Sequence, residues 1–241
     1  MDARTGPARR DTGGRTLHRV TLEIDTGSGL LPVHEWGDAA SSAPGILLLQ
    51  EIFGVSPYIE QRAADLAALG YYVVAPEIYW RLDDVDLDEN APDLLERAIG
   101  TVQRLDWDQA VTDSAAALGY LRGRDAKTAL VGFCFGGGLA FNVAAVSATD
   151  ALVSYYGSAL PQLLPLAPEV TAPSLHHFGD ADEYLPVDDV VAGLPGTEIH
   201  RYPGAGHAFD NPMPAFHHAD ASALAWERTT EFLSRTLQGA A

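Results

Sequence analysis

The sequence Gly132-Phe133-Cys134-Phe135-Gly136 decides how this chain is interpreted. It follows an apolar run at residues 129–131, which predicts a buried strand, and leads into residues 137–145, which predict a helix. A reactive side chain flanked by glycines at a strand-to-helix turn is the pattern of a nucleophile elbow, where serine is usual and cysteine stands here. Small residues let the backbone pass close to itself, and the helix N-terminus favours a thiolate. The motif therefore predicts a reactive Cys134.

An alternative is that Cys134 is a small buried hydrophobe in a glycine-rich turn. It is the only cysteine in the chain, and a motif of this length also occurs by chance. The two interpretations differ in what must follow. A nucleophile needs a base and an orienting acid at later positions, whereas a core residue does not.

Composition predicts one domain and excludes several partners. The 241 residues, 47% of them hydrophobic, suffice for a core, so we expect a disordered extension over residues 1–16 and a single domain over residues 17–241. One cysteine, no secretory signal and no long apolar run predict a cytoplasmic protein. A net charge of −18 argues against nucleic acid and membrane partners. The oligomeric state, monomer or dimer, stays open.

Short continuous apolar runs indicate a mostly parallel sheet with helices on both faces. An alternating pattern at residues 17–24 and 30–35 adds an antiparallel hairpin. The alternation of strands and helices predicts an α/β fold, and the acidic segment 82–92 is expected to be an exposed loop or part of a lid. The apolar runs are residues 45–50, 71–75, 128–132, 151–155 and 172–176, and the helices are expected from Pro57 to Gly70 and at residues 108–121, 187–192 and 218–237.

An acid and a histidine follow two later strands. Asp180 and Asp182 come after the run ending at Phe178, and His207 comes after a strand at residues 198–202. The order cysteine, acid, histidine is that of α/β-hydrolases, and ligands of parallel sheets bind at these strand ends. His207 would act as base and the acid would orient it. The spacing does not choose between the two aspartates.

The tetrahedral oxyanion of such a reaction needs hydrogen-bond donors. One is expected to be the backbone N–H of Phe135, directly after the nucleophile, and the other the N–H of Ile52, after the first parallel strand. His217 and Asp220 are spaced for one helical face, but no third ligand accompanies them, so no metal and no cofactor are expected.

Five segments together resemble the dienelactone hydrolase family: residues 50–55, 70–79, 132–137, 155–157 and 205–209. The resemblance extends from about Val20 to Leu233. It implies an α/β-hydrolase fold with a triad of Cys134, Asp182 and His207, and so selects Asp182 over Asp180. It also implies that Glu51 lies beside the cysteine and controls its protonation.

The chain departs from the family at the substrate carboxylate. Members that act on dienelactone hold this group with arginines, but Asn211 stands four residues after the histidine, and Leu95 stands at a second such position with Arg97 nearby. Asp210 would add repulsion if it faced the pocket. Further pocket candidates are Trp80, Arg81, Tyr155 and Phe209.

We therefore expect a cofactor-independent hydrolase of a small ester or lactone that forms a thioacyl-enzyme at Cys134. One alternative is a hydrolase of a neutral ester, a thioester or a xenobiotic lactone without dienelactone activity. A lesser alternative is a non-catalytic redox sensor in which Cys134 reacts with oxidants.

Overall fold

The apolar runs form the centre of an eight-stranded sheet in the computed structural model, which describes residues 20–238. The expected extension at residues 1–16 lies outside the described residues. Neighbouring strands follow the order β1-β2-β4-β3-β5-β6-β7-β8, in which β2 is antiparallel to both neighbours and the remaining pairs are parallel. The strands are β1 (Val20–Asp25), β2 (Leu30–Trp36), β3 (Gly45–Leu49), β4 (Tyr72–Pro76), β5 (Thr128–Phe133), β6 (Ala151–Tyr155), β7 (Ser174–Gly179) and β8 (Glu198–Tyr202).

Helices cover both faces of this sheet, which confirms the α/β-hydrolase class expected from the sequence. Every residue of β3 to β7 is buried, as continuous apolar strands require. The helices are α1 (Pro57–Ala68), α2 (Leu94–Gln103), α3 (Trp107–Arg122), α4 (Phe135–Val146), α5 (Leu160–Leu163), α6 (Val187–Ala192) and α7 (Ala219–Leu233), with a 3-10 turn at Leu164–Glu169 and a π-helical turn at Ser234–Gln238.

The end of the last helix, the start of β7 and two short elements between β6 and β7 differ from the expectations. The last helix keeps α-helical hydrogen bonding only to Leu233 and continues as the π-helical turn. Strand β7 begins two residues later than expected, after Pro173, which has no N–H to contribute to a sheet. Helix α5 and the 3-10 turn were not expected, because their prolines are more typical of irregular loops.

The acidic segment 82–92 has neither helix nor strand and is mostly exposed. Two arginines of the following helical region hold it: Arg97 pairs with Asp86, and Arg104 donates to the carbonyl oxygen of Asp83 at 3.1 Å. Its function as a lid stays a prediction. Among residues 20–238, no helix is long and apolar enough to cross a membrane.

The turn between β5 and α4 depends on two glycines. A Cβ atom on Gly132 would lie 2.0 Å from the carbonyl oxygen of Gly136, and one on Gly136 would lie 2.3 Å from those of Leu49 and Gln50. These neighbours are backbone atoms and cannot move aside as a flexible side chain can. Gly132 therefore lets the end of β5 lie against the start of α4, and Gly136 lets the start of α4 lie against the end of β3.

We predict that Gly136→Ala lowers the free energy of unfolding by roughly 3 kcal/mol or more, because backbone must shift to admit the methyl group. Urea denaturation followed by circular dichroism measures this change. Gly100→Ala in α2 is the matched control, since a Cβ there meets no atom within 4 Å. The control should gain up to about 1 kcal/mol from the higher helix propensity of alanine. Equal stability of the two variants would contradict the argument.

Candidate active site

Cys134 sits at the turn in a strained backbone conformation, with φ 52° and ψ −114°. Its N–H donates to the carbonyl oxygen of Tyr155 at 3.0 Å. Its own carbonyl oxygen accepts from the N–H groups of Gly137 at 3.0 Å and Ser158 at 3.1 Å. These hydrogen bonds stabilise the strained residue and fix the direction of its thiol, which is 8% exposed as a residue.

Three side chains from the ends of β5, β7 and β8 meet in one hydrogen-bonded chain. The sulfur of Cys134 lies 3.0 Å from Nε2 of His207, and Nδ1 of the same imidazole lies 2.8 Å from Oδ2 of Asp182. The second oxygen of Asp182 accepts from the backbone N–H groups of Tyr184 at 2.9 Å and Leu185 at 3.2 Å. The acid is thus fixed from both sides, and it can hold the imidazole in one orientation.

The two aspartates that the sequence left open have different surroundings. Asp182 is buried and contacts His207, whereas Asp180 forms a hydrogen bond with the exposed Arg201. Arg201 also pairs with Asp188 at 2.6 Å, so Asp180 belongs to a surface ion-pair cluster. Only the first of these two carboxylates contacts the imidazole.

His207 has a strongly perturbed proton affinity. Burial acts to lower the pKa of its imidazole, but the hydrogen bonds with Asp182 and Cys134 outweigh burial and raise the pKa to about 10. The imidazole therefore carries two protons at neutral pH, one directed at Asp182 and one at the sulfur.

Glu51 follows the end of β3 and is almost completely buried, with 1% exposure. Its Oε2 accepts from the side-chain amide of Asn211 at 2.6 Å, and its Oε1 accepts from the hydroxyl of Tyr156 at 3.3 Å. Burial raises the pKa of this carboxyl to about 7, although the bond from Asn211 and the charge of His207 act to lower it. Glu51 can therefore gain and lose a proton near neutral pH.

Asp210 is turned away from the position in which it would repel a substrate. It is 1% exposed, and its carboxylate accepts from Arg62 of α1 at 2.6 and 2.8 Å and from Ser222 of α7 at 2.6 Å. The hydroxyl of Tyr58 donates to the same group. Repulsion of a substrate was expected only if Asp210 faced the pocket. The carboxylate instead connects α1 and α7 to the loop that carries His207.

Two tyrosines that the sequence analysis did not single out contact the imidazole of His207. The rings of Tyr156 and Tyr184 each lie 5.3 Å from that of His207, both edge-on. Tyr184 is 73% exposed, and Tyr156 has a φ of 38° directly after β6. The sequence signal that could have identified these two tyrosines is their position shortly after the ends of β6 and β7. Tyr58 and Arg62 gave no signal, because a helix pattern does not reveal a partner 148 residues away.

The remaining candidates have partners elsewhere. Tyr155 and Phe209 are fully buried in the core, where the hydroxyl of Tyr155 bonds to Thr229 at 2.6 Å. Trp80 and Arg81 both donate to Asp113 of α3. Arg97 pairs with Asp86 and with Asp93 at 2.9 Å. The structure therefore brings Asn211 to Glu51, and it gives the other candidates structural contacts.

The two expected oxyanion donors belong to two different parts of the fold. Phe135 is the first residue of α4, where N–H groups have no partner within the helix. Ile52 belongs to the short segment after β3, and the hydroxyl of Tyr79 holds its carbonyl oxygen at 3.0 Å. Among residues 20–238, no cluster of three or more histidine, cysteine or acidic side chains could hold a metal ion.

Comparison with known proteins places this geometry in a family. Residues 34–237 match the model of the dienelactone hydrolase family. Carboxymethylenebutenolidases from Pseudomonas putida and Cupriavidus pinatubonensis are 36% and 34% identical to the chain, over 81% and 80% of it and 87% and 86% of their own lengths.

A crystal structure of a suggested dienelactone hydrolase from Klebsiella pneumoniae has a similar fold, with a TM-score of 0.78. It is 24% identical, and the alignment covers 92% of this chain and 100% of that one, so the likeness concerns the fold. The family match and the curated relatives carry the assignment. The chain belongs to the dienelactone hydrolase family and is a hydrolase of ester or lactone bonds.

Proposed function

We propose that the chain hydrolyses a small ester or lactone through a thioacyl-enzyme at Cys134. The observation that carries the proposal is the hydrogen-bonded chain from the Cys134 sulfur through His207 to Asp182, with distances of 3.0 and 2.8 Å. A cysteine nucleophile, a base and an orienting acid are the groups that acyl transfer requires. If Cys134 were only a small buried hydrophobic residue in a glycine-rich turn, it would need neither His207 nor Asp182.

In the first half-reaction the thiolate attacks the carbonyl carbon, a C–S bond forms, and the carbonyl electrons move to oxygen. The N–H groups of Phe135 and Ile52 are the proposed donors to this oxyanion. The intermediate then expels the alkoxide, which takes the Nε2 proton of His207. Because the other imidazole proton stays on Nδ1 and is donated in a hydrogen bond to Asp182, the ring stays oriented for the next step.

In the second half-reaction the neutral His207 removes a proton from water, which attacks the thioacyl carbon. The C–S bond breaks, the acid is released, and Cys134 returns as a thiolate beside a protonated imidazole. The resemblance gives Glu51 the role of proton partner for the cysteine before substrate binds. Its burial and its pKa of about 7 support that role, since such a carboxyl can accept a proton at neutral pH.

We infer that the preferred substrate has no carboxylate. Asn211 is a neutral amide already bonded to Glu51. Arg62, Arg81 and Arg97 each direct their guanidinium groups at protein carboxylates. A substrate carboxylate would have to compete with those ion pairs, and it would also approach the acidic Glu51.

Replacement of the nucleophile tests the mechanism. We predict that Cys134→Ala lowers kcat for an activated aryl ester by roughly a thousandfold or more, because the covalent step is lost. An intact-mass measurement of the wild-type protein should reveal the added acyl group on this residue. Unfolding curves would establish that the variant still folds. Turnover close to wild type, or rapid peroxide oxidation without any acyl adduct, would favour a sensor.

Paired substrates test the specificity. For a neutral ester and a carboxylate-bearing lactone of similar size, we predict a kcat/KM at least about tenfold higher for the neutral one, a difference of about 1.4 kcal/mol. Asn211→Arg supplies a cation near the site. It should reduce the preference for the neutral ester, mainly by lowering KM for the charged lactone. A wild-type preference for the charged lactone would contradict the inference.

Glu51 should also destabilise the fold above its pKa. The folded-state pKa of about 7 exceeds the ordinary glutamate value of 4.5, so the folded protein holds this proton more tightly, and the free energy of unfolding falls as pH rises between those values. We predict that Glu51→Gln becomes more stable than wild type by roughly 3 kcal/mol at pH 8, with little difference at pH 4. Urea titrations at each pH measure this. Glu96→Gln, an exposed position on α2, should follow the wild type throughout.

A further inference from the structure

A line of buried polar groups connects Glu51 to the helices behind the active site. The Glu51 oxygen Oε1 lies 3.3 Å from the hydroxyl of Tyr156, and that hydroxyl lies 3.4 Å from the hydroxyl of Tyr58. Tyr58 donates to Asp210, and Arg62 of α1 closes the line. None of the steps of the proposed hydrolysis uses the last three groups.

Asp210 is saturated with donors. Its Oδ1 accepts from Nη2 of Arg62 and from Ser222, both at 2.6 Å, and its Oδ2 accepts from Nε of Arg62 at 2.8 Å and from Tyr58. Four hydrogen bonds thus converge on one buried carboxylate. Burial and the neighbouring carboxylates hold the pKa of Tyr58 well above its ordinary value. Tyr58 therefore keeps its proton and donates it in the hydrogen bond to Asp210.

The Tyr156 hydroxyl has one proton and two available acceptors. When Glu51 is ionised, the proton is directed at Glu51. When Glu51 is neutral, the Tyr156 proton can turn to the hydroxyl oxygen of Tyr58. That oxygen can accept it because Tyr58 donates its own proton in the hydrogen bond to Asp210. Distances of 3.3 and 3.4 Å are long for hydroxyl hydrogen bonds, so neither acceptor holds the proton tightly. The Tyr156 hydroxyl therefore has a hydrogen-bond acceptor in both protonation states of Glu51.

We propose that Tyr58, Asp210 and Arg62 are positioning residues that set the protonation state of Glu51 through the hydroxyl of Tyr156. The functional meaning rests on the proposed role of Glu51 as proton partner of the cysteine. The coupling itself is a property of the resting protein and needs no turnover to be observed.

Opposite signs of charge make the proposal specific. The charged or titratable groups that face Glu51 are His207, Asp210, Tyr156 and Tyr58, and the polar Asn211 completes its surroundings. The charge of Asp210 acts to raise the pKa of Glu51. Arg62 carries the opposite charge and is bound to Asp210, so by Coulomb's law it is expected to act in the opposite direction. Removing either charge should therefore shift the titration of Glu51, and the two shifts should have opposite directions.

The experiment is an infrared titration of the Glu51 carboxyl band in the full-length protein without substrate, with the band assigned by its loss in Glu51→Gln. Asp210→Asn should lower the titration midpoint by about one pH unit, and Arg62→Gln should raise it by a similar amount. Tyr58→Phe should lower the midpoint by less. Tyr156 then has only Glu51 as an acceptor, and its hydrogen bond favours the ionised carboxylate. This variant removes a single oxygen, so it serves if either charge variant does not fold.

Arg235→Gln is the matched control. It removes one positive charge whose ion-pair partner, Glu198, begins β8 at the opposite end of the sheet, and it should leave the midpoint unchanged. Unshifted midpoints in the three variants, or shifts of the same sign for Asp210→Asn and Arg62→Gln, would overturn the proposal. If the midpoints shift as expected while Cys134→Ala retains turnover, the coupling stands and the proposed function fails.

Discussion

The close approach of α4 to the end of β3 is the constraint on which the site depends. Because Gly136 has no side chain, its Cα region can lie against the carbonyl oxygens of Leu49 and Gln50. That contact brings the turn that carries Cys134 close to the segment that carries Glu51 and Ile52. It also leaves Cys134 with a positive φ, a conformation that the hydrogen bonds of its N–H and carbonyl groups stabilise.

The sheet and the meeting of Cys134, an acid and His207 at one edge of it could be predicted because their signals are local. Continuous apolar runs mark strands buried on both faces, and the acid and histidine follow strand ends that a parallel sheet brings to one edge. The residues alone left Asp180 and Asp182 as alternatives. The choice depends on which carboxylate points at the imidazole, and Arg201, which holds Asp180, is 21 positions away in sequence.

The surroundings of Glu51 could not be predicted because their partners are distant in sequence. Asn211 and Tyr156 are 160 and 105 residues from Glu51, and Arg62 is 148 residues from Asp210. A helical pattern explains why α1 forms, since it requires only apolar residues at regular spacing. It does not indicate that an arginine on that helix turns inward to pair with a loop.

These distant contacts change how charge is distributed near the sulfur. With Asn211 as its nearest donor, Glu51 has a neutral partner and a pKa near 7, whereas a cationic partner would hold the same carboxyl ionised. His207, with a pKa of about 10, is the cation beside the thiol. If the thiol of Cys134 gave its proton to Glu51 instead of to solvent, as proposed, the buried site would gain no net charge. A neutral substrate preserves that balance, whereas a carboxylate would add an anion that Asn211 cannot neutralise.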